Sequence, residues 1–386
     1  MGREFDVIVF GATGYTGRLV AEYLAQIGAP RWAMAGRSAA KLEQVRAEIG
    51  APADTPLIVA DSQSPSDLRT LCGRTEVVLS TVGPYQLYGT ELIAACAETG
   101  TGYVDLCGEP GWMRQMIDAH EARARETGAR IVFSCGFDSI PFDLGVWTLQ
   151  EAARARFGRP APRVKGRVRR MKGTFSGGTA ASLKATLAAA ARQPALVPVL
   201  ASPFGLTPGF AGPHQPTGMV PEYDPDIGAW VAPFVMATIN TKNVHRTNFL
   251  AGQPYGPDFV YDEMQVTGLG DMGKAAAEML AKFNPFSGDS GPKPGEGPTR
   301  EERESGHYDI LFLGLMPDGG RVECVVTGDR DPGYGSTSKM IAQAALCLAQ
   351  DVPSEGKGGI WTPGALMAKP LRTRLEGQAG LSFRCG

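Results

Sequence analysis

Through the first 145 residues, short apolar runs alternate with segments in which apolar residues recur every three or four positions. The runs lie at 6–10, 32–35, 57–60, 77–82, 102–107 and 130–135, are rich in β-branched residues, and predict strands. Helical spacing falls between them, near 15–27, 39–49, 65–72, 88–99 and 110–127. Six strands with intervening helices and short connections predict an α/β fold built on a doubly wound parallel sheet. After Leu144-Gly145 the pattern changes. Arg163 to Thr174 predicts a long strand, and Thr179 to Arg192 an alanine-rich helix. Further strands are expected near 230–240, 257–267, 306–315 and 321–327. Residues 193–228 and 285–302 are crowded with Pro and Gly, and the second stretch reads as a surface loop. Helical spacing returns at 336–348 and 363–376. The division expected is therefore a first unit at 1–145, an α+β unit inserted at 146–330, and C-terminal helices at 331–386 that pack back on the first unit.

The first run, Phe5 to Phe10, stops at three glycines, Gly11, Gly14 and Gly17, and a helical pattern follows at once. Strand, glycine turn and helix is the context in which such spacing signals a dinucleotide site, the Rossmann arrangement. Gly11 permits the tight turn, Gly14 leaves room for a pyrophosphate, and Gly17 lets helix and strand approach. Thr13, Tyr15 and Thr16 complete the loop, and the N–H groups of the helix face the anion. The second strand ends in Ala35-Gly36-Arg37-Ser38, with Lys41 beyond. An NAD site places a carboxylate here for the ribose 2′-hydroxyl; a guanidinium instead pairs with a 2′-phosphate. Arg37, Ser38 and Lys41 therefore predict NADPH rather than NADH.

Other strand ends carry polar groups where ligands gather in such sheets. Thr81, Gly83 and Pro84 would bring backbone against the cofactor, and Tyr85 is a candidate proton donor, with a core or cofactor-stacking tyrosine the equal alternative. Tyr103 to Glu109 ends the fifth strand, and Cys135 to Asp143 the sixth. In the latter, Asp138 or Ser139 capping a helix with Pro141 in its first turn is a sufficient structural explanation, with substrate contact the alternative. Ser176-Gly177-Gly178-Thr179 opens a helix and suits a carbonyl or phosphate oxygen, with Ser176 and Thr179 the candidate catalytic residues; a Thr-capped helix explains it equally well. Arg163, Lys165, Arg167 and Arg169 alternate on one strand face, as a solvated edge or as a docking face for an acidic carrier or a phosphate-bearing substrate. Of four histidines only His245 sits among enough polar neighbours to be a candidate, and no metal spacing is present.

A net charge of −2 over 386 residues gives no general pull toward nucleic acid. Seven cysteines without a C-x-x-C pair predict reduced thiols, and the chain enters a strand with no room for a signal peptide. No apolar run is long enough to span a bilayer. A cytoplasmic protein is expected, with peripheral membrane contact left open.

Val9 to Gly17, Ala35-Gly36-Arg37, Thr81 to Tyr85, Tyr103 to Glu109 and Cys135 to Pro141 together resemble the saccharopine dehydrogenase-like oxidoreductases. Ser176 to Thr179, Gly328 to Tyr334 and Gly358 to Pro363 extend the resemblance over most of the chain. Within that group the chain is most similar to the trans-acting enoyl reductases of actinobacterial lipid and polyketide synthesis. The resemblance implies an N-terminal nucleotide-binding domain and NADPH-dependent reduction of an α,β-unsaturated thioester. It further implies an acyl carrier or polyketide synthase partner and a homodimer through the second unit, and it brings no catalytic residue with it. An amino-acid oxidoreductase of the saccharopine type, which needs a cluster of cations for several carboxylates, is the alternative. A dinucleotide-binding scaffold without turnover is the other.

Overall fold

The computed structural model describes residues 2–173, 177–282, 296–353 and 355–386. The chain runs β1 (Phe5–Phe10), α1 (Tyr15–Gln26), β2 (Trp32–Gly36), α2 (Ala39–Glu48), β3 (Leu57–Val59), α3 (Pro65–Gly73) and β4 (Thr75–Ser80). It continues through α4 (Tyr85–Tyr88), α5 (Thr90–Thr99), β5 (Gly102–Val104), α6 (Pro110–Thr127) and β6 (Arg130–Val132). These six strands lie parallel, in the spatial order β6-β5-β4-β1-β2-β3. Val7, Ile8 and Val9 are fully buried because helices cover both faces, which is why the runs are continuously apolar.

The chain then forms α7 (Ile140–Phe157), β7 (Arg163–Lys172), α8 (Gly177–Arg192), α9 (Leu196–Ala201), β8 (Glu222–Asp224) and β9 (Ala229–Pro233). Next come α10 (Ala237–Leu250), β10 (Val260–Gly268), α11 (Gly270–Lys282), α12 (Arg300–Ser305), β11 (His307–Leu315) and β12 (Arg321–Gly328). The tail consists of α13 (Thr337–Gln350), β13 (Gly359–Trp361), α14 (Pro363–Gln378) and β14 (Leu381–Cys385). A second, mixed sheet has the order β14-β12-β11-β7-β10-β9-β8.

The tail belongs to both sheets. β13 pairs with β6 at the edge of the parallel sheet, and β14 pairs with β12 at the edge of the mixed one. α13 packs on α1, β1, β4 and β5, whereas α14 packs on α7 and α10. Residue 145 lies inside α7, and a Cβ there would overlap the Phe312 ring. Gly145 thus marks a close helix-on-sheet contact rather than the end of a pattern.

Three sequence expectations are corrected. The segment expected as a strand over 230–240 stops at Pro233, which cannot donate to a ladder, and α10 begins at Ala237. The cationic row is neither an edge nor a docking face, since β7 is central, between β11 and β10. Arg167 is fully buried and pairs with Asp224 and Asp262, each at 2.8 Å; Lys165 binds Asp224 and Asp226, Arg163 binds Asp262, and Arg169 binds Asp309. The cysteines are not all free. Register places Cys324 opposite Cys385, Cα atoms 4.0 Å apart, and the two form a disulfide. Cys72, Cys96, Cys107, Cys135 and Cys347 are buried free thiols. Among the described residues no helix is long and apolar enough to cross a membrane.

Burial pushes the Asp224 carboxyl up, but Lys165 and Arg167 outweigh it and hold it below its ordinary value. Their contribution is therefore present above the unfolded carboxylate range and disappears as pH falls through the folded value. Arg167→Ala leaves two buried carboxylates without their shared guanidinium and should cost about 3–5 kcal/mol. Urea unfolding at neutral pH checks this, and an unchanged midpoint would show that the triad contributes nothing.

Candidate active site

The C-terminal ends of β1, β2, β4, β5 and β6 lie along one edge of the parallel sheet, where ligands bind in folds of this topology. Gly11 N and Ala12 N both donate to Ala35 O, at 3.0 and 3.1 Å, and tie the glycine loop to the end of β2. Gly11 has φ of +93°, and a Cβ there would come within 2.8 Å of Thr81 Oγ1. A Cβ on Gly17 would overlap the Gly11 carbonyl. Gly14 differs: the sole atom a Cβ would meet is Gly11 O at 3.4 Å, so the space before α1 is open. No side chain caps α1, which leaves its first-turn N–H groups without a side-chain acceptor. The Thr13 side chain lies against Gly36, and Thr16 is half-buried beside it in the loop.

Arg37 is exposed at the end of β2 and has no ion-pair partner among the described residues. Lys41 is exposed one turn on, while the Ser38 hydroxyl accepts from Lys41 N at 3.4 Å and caps α2. Two other candidates have their side chains engaged. The Tyr15 hydroxyl donates to Pro298 O and accepts from Arg303 at 2.7 Å, while its ring lies edge-on to Tyr334 at 4.8 Å. Thr81 Oγ1 donates toward the carbonyls of Phe10 and Gly11 at 3.3 and 3.4 Å, buttressing the glycine loop from below.

Gly83 is exposed and Pro84 opens α4, but Tyr85 is not the proton donor expected. Its hydroxyl donates to Ser80 O at 3.2 Å and accepts from Leu106 N at 3.1 Å, and its ring stacks on Trp112. Burial, reinforced by Asp105, pushes the phenol well above its ordinary value. Tyr85 is a core residue that fixes the ends of β4 and β5.

Glu109, which the sequence reading passed over, organises this region. Its buried carboxylate accepts from Tyr85 N and Gln86 N, both at 2.9 Å, and from Ser182 Oγ at 2.7 Å. The contact brings the first turns of α8 to the end of β5. Ser176 and the Thr179 side chain lie outside the described residues. A groove of about 300 Å³ opens alongside, between α4, α6, α8 and α9, with Leu87, Trp112, Leu196 and Leu200 on its apolar side and Gln86, Gln115, Thr186, Arg192 and Gln193 on its polar side.

Beyond β6 the mixed-sheet unit closes over the edge. Asn243 donates to Ser139 Oγ at 2.8 Å, and Asn240 donates to Glu263 at 2.9 Å. Glu263 also accepts from Tyr261 at 2.8 Å, and burial is the main reason its carboxyl is pushed up to about 8. Asp138 is half-buried, accepts no hydrogen bond from a described residue, and is raised to about 7 by burial. Asp105 and Asp143, also raised to about 7 by burial, are held by structural partners: Cys107 N, Ser134 N and Tyr103 for Asp105; Thr247 and Gly364 N for Asp143. His245 packs against Phe204 and Phe259; burial first, then Lys242, lowers it to about 3 and keeps it neutral. The signal for this face was the polar spacing 240, 243 and 247 on one side of α10, a helix whose first residues fall inside the strand expected over 230–240.

Residues 7–132 match the family model for the saccharopine dehydrogenase NADP binding domain. A Mycobacterium tuberculosis protein provisionally named a trans-acting enoyl reductase is 38% identical over 99% of this chain and 97% of its own length. The trans-acting enoyl reductase of Mycobacterium leprae is 36% identical over 97% and 96%. The chain belongs to the trans-acting enoyl reductase family. Saccharopine dehydrogenase (L-Glu forming) from Saccharomyces cerevisiae shares the fold, with a TM-score of 0.56 and 10% identity over 98% of this chain and 99% of that one. The cofactor is NADP(H), and the residues present fit it: the space at Gly14 leaves room for a pyrophosphate, and Arg37, exposed and without an ion-pair partner among the described residues, is free to take a 2′-phosphate.

Arg37→Ala should remove most of the preference for NADPH over NADH, a loss of roughly 1.5–3 kcal/mol for a charge-assisted contact. Calorimetry giving equal affinities for the two cofactors in the unmodified protein would overturn the assignment. Gly14→Val fills the open space and should abolish NADPH binding while circular dichroism stays unchanged; retained binding would make the loop purely structural.

Proposed function

We propose that this family member reduces the carbon–carbon double bond of an α,β-unsaturated acyl thioester presented by an acyl carrier or polyketide synthase partner. The observation that carries this reading is family membership over the whole chain, joined to a cofactor edge whose far end is closed by the mixed-sheet unit. NADPH supplies the hydride when bound. The glycine loop and α1 hold its pyrophosphate, and Arg37 and Lys41 hold the 2′-phosphate. Residues 1–145 thus serve the cofactor, 146–330 the substrate, and 331–386 join the two by adding a strand to each sheet. The groove beside α4 offers the acyl chain an apolar wall formed by Leu87, Trp112 and Leu196. The N-terminus of α8, with Ser176 and Thr179, supplies donors to the thioester oxygen as negative charge develops there. The saccharopine-type alternative needs free cations for several carboxylates. Arg163, Lys165 and Arg167 are instead neutralised by Asp224, Asp226 and Asp262.

NADPH absorbance followed against an enoyl thioester of a pantetheine mimic, and separately against a 2-oxo acid with an amino acid, tests the reading. Consumption with the enoyl thioester alone is expected. Turnover with the oxo acid and amine would favour the amino-acid alternative, and none with either would favour a scaffold. Gly178→Val, which disturbs the donors at α8, should lower kcat by roughly 10²-fold and leave NADPH affinity unchanged. Equal loss of cofactor affinity would remove α8 from the chemistry.

A further inference from the structure

Reduction of a conjugated thioester needs a proton at the α-carbon after the β-carbon has taken a hydride, and Tyr85 is locked away from that task. We propose that Asp138, at the loop between β6 and α7, is the acid that delivers this proton. The inference rests on the enoyl-thioester reading above.

Position comes first. Asp138 follows β6 on the same edge of the sheet as the glycine loop, and in this topology the nicotinamide end of the cofactor reaches across the strand ends past the switch point between β1 and β4. Its oxygens are not engaged by any described residue, unlike those of Asp105, Asp143 and Glu109 nearby. A Cβ built on Gly108 would lie 3.9 Å from Asp138 Oδ2, so the β5–α6 loop leaves the carboxyl uncrowded.

Rigidity comes second. Both chain neighbours of Asp138 are buried and tied down. Phe137 packs edge-on to Phe142 and Tyr308, with ring centroids 5.4 and 5.0 Å away, and its N–H donates to Thr337 at 3.0 Å. Ser139 N donates to Ser134 O at 2.9 Å, and Ser139 Oγ accepts from Asn243 at 2.8 Å. A carboxyl mounted between two anchored residues keeps its aim, which proton transfer requires. Acceptors for a polar ligand lie on the same elements: the Oδ1 atoms of Asn240 and Asn243 are buried without a hydrogen-bond partner among the described residues.

The step balances. As the hydride reaches the β-carbon, the π-electron pair moves toward the thioester carbonyl and gives an enolate. The Asp138 O–H bond then breaks as the new α-carbon C–H bond forms, leaving a carboxylate. Because Asp138 keeps partial solvent contact, water restores its proton for the next turnover.

Protonation state supports this geometry. Burial raises the Asp138 carboxyl to about 7, so an acid form exists near neutrality. The ionisable groups on neighbouring elements include Glu263, Tyr261 and Asp262 on β10, Lys242 and His245 on α10, Asp105, Cys107 and Glu109 after β5, Cys135 in the same loop, and Asp143 on α7. Among these carboxyls Glu263 is the one raised in part by Asp138 itself, after the larger effect of burial and of Asp262, so it titrates later, at about 8. Lys242 is buried, lowered by burial to about 8, and has no hydrogen bond or ion pair among the described residues. The active form is the protonated one: activity is full below the Asp138 value and falls as pH rises through it.

The test uses the full chain loaded with NADPH. Asp138→Asn should lower kcat by about 10²–10⁴-fold, the range for loss of a general acid. It should keep NADPH affinity and abolish the fall in kcat centred near pH 7. Asp138→Glu should restore part of the rate, whereas Glu263→Gln should keep the inflection near 7. A second readout needs no substrate: fluorescence of bound NADPH titrated with pH should show an inflection near 7 in the unmodified protein and none in Asp138→Asn. An Asp138→Asn variant that turns over normally, or one that keeps the same fluorescence inflection, overturns the proposal. If the unmodified protein reduces no enoyl thioester, the substrate reading fails. The fluorescence titration still decides separately whether Asp138 ionises beside the cofactor.

Discussion

The approach of α1 to the end of β1 is the constraint on which the cofactor edge depends. With a side chain at position 17, helix and strand would be forced apart, because a Cβ there overlaps the Gly11 carbonyl. That closeness sets the first-turn N–H groups of α1 beside the strand ends, where the helix dipole favours an anion. Thr81 fills the space beneath, so the end of β4 is hydrogen-bonded to the glycine loop. The Tyr15 side chain then ties this loop to Arg303 and Tyr334, beyond the parallel-sheet unit.

Buried charge shapes the other unit. A central strand carrying Arg163, Lys165 and Arg167 is tolerated because Asp224 and Asp262 face it from β8 and β10, and Asp226 from just beyond β8. Such a network is a poor source of net stability, since desolvation offsets much of the attraction, but removing any member leaves a stranded charge. The network occupies Arg163, Lys165 and Arg167, so the cationic row of β7 is not free to grip a carboxylate substrate.

Three kinds of carboxylate meet near the strand ends, and their environments separate their roles. Asp105 and Glu109 accept backbone N–H groups and hold loops in place. Glu263 is shared between Asn240 and Tyr261. Asp138 alone among these has no partner among the described residues, while both its neighbours in sequence are anchored. Groups of one chemical type are thus divided between framework and chemistry by what surrounds each.

Local sequence was enough for the first unit. The glycine spacing, the flanking strand and helix, and Arg37 at the end of β2 act within one or two elements, so composition and period determine them. The same holds for α8, α13 and α14 and for β7, β11 and β12, whose patterns survive in isolation. Tertiary structure decided the rest, because it depends on partners distant in the chain. Tyr85 looked available until Leu106 and Ser80 took its hydroxyl. The cationic strand looked solvated until acids 57 and 95 positions away from Arg167 closed on it. The strand expected over 230–240 overran the start of α10, whose buried polar face makes sense only against Ser139, Asp143 and Glu263, which other elements supply. A sequence records which side chains are present. Whether each is paired, buried or left free is set by long-range packing, and at this site that distinction separates framework from chemistry.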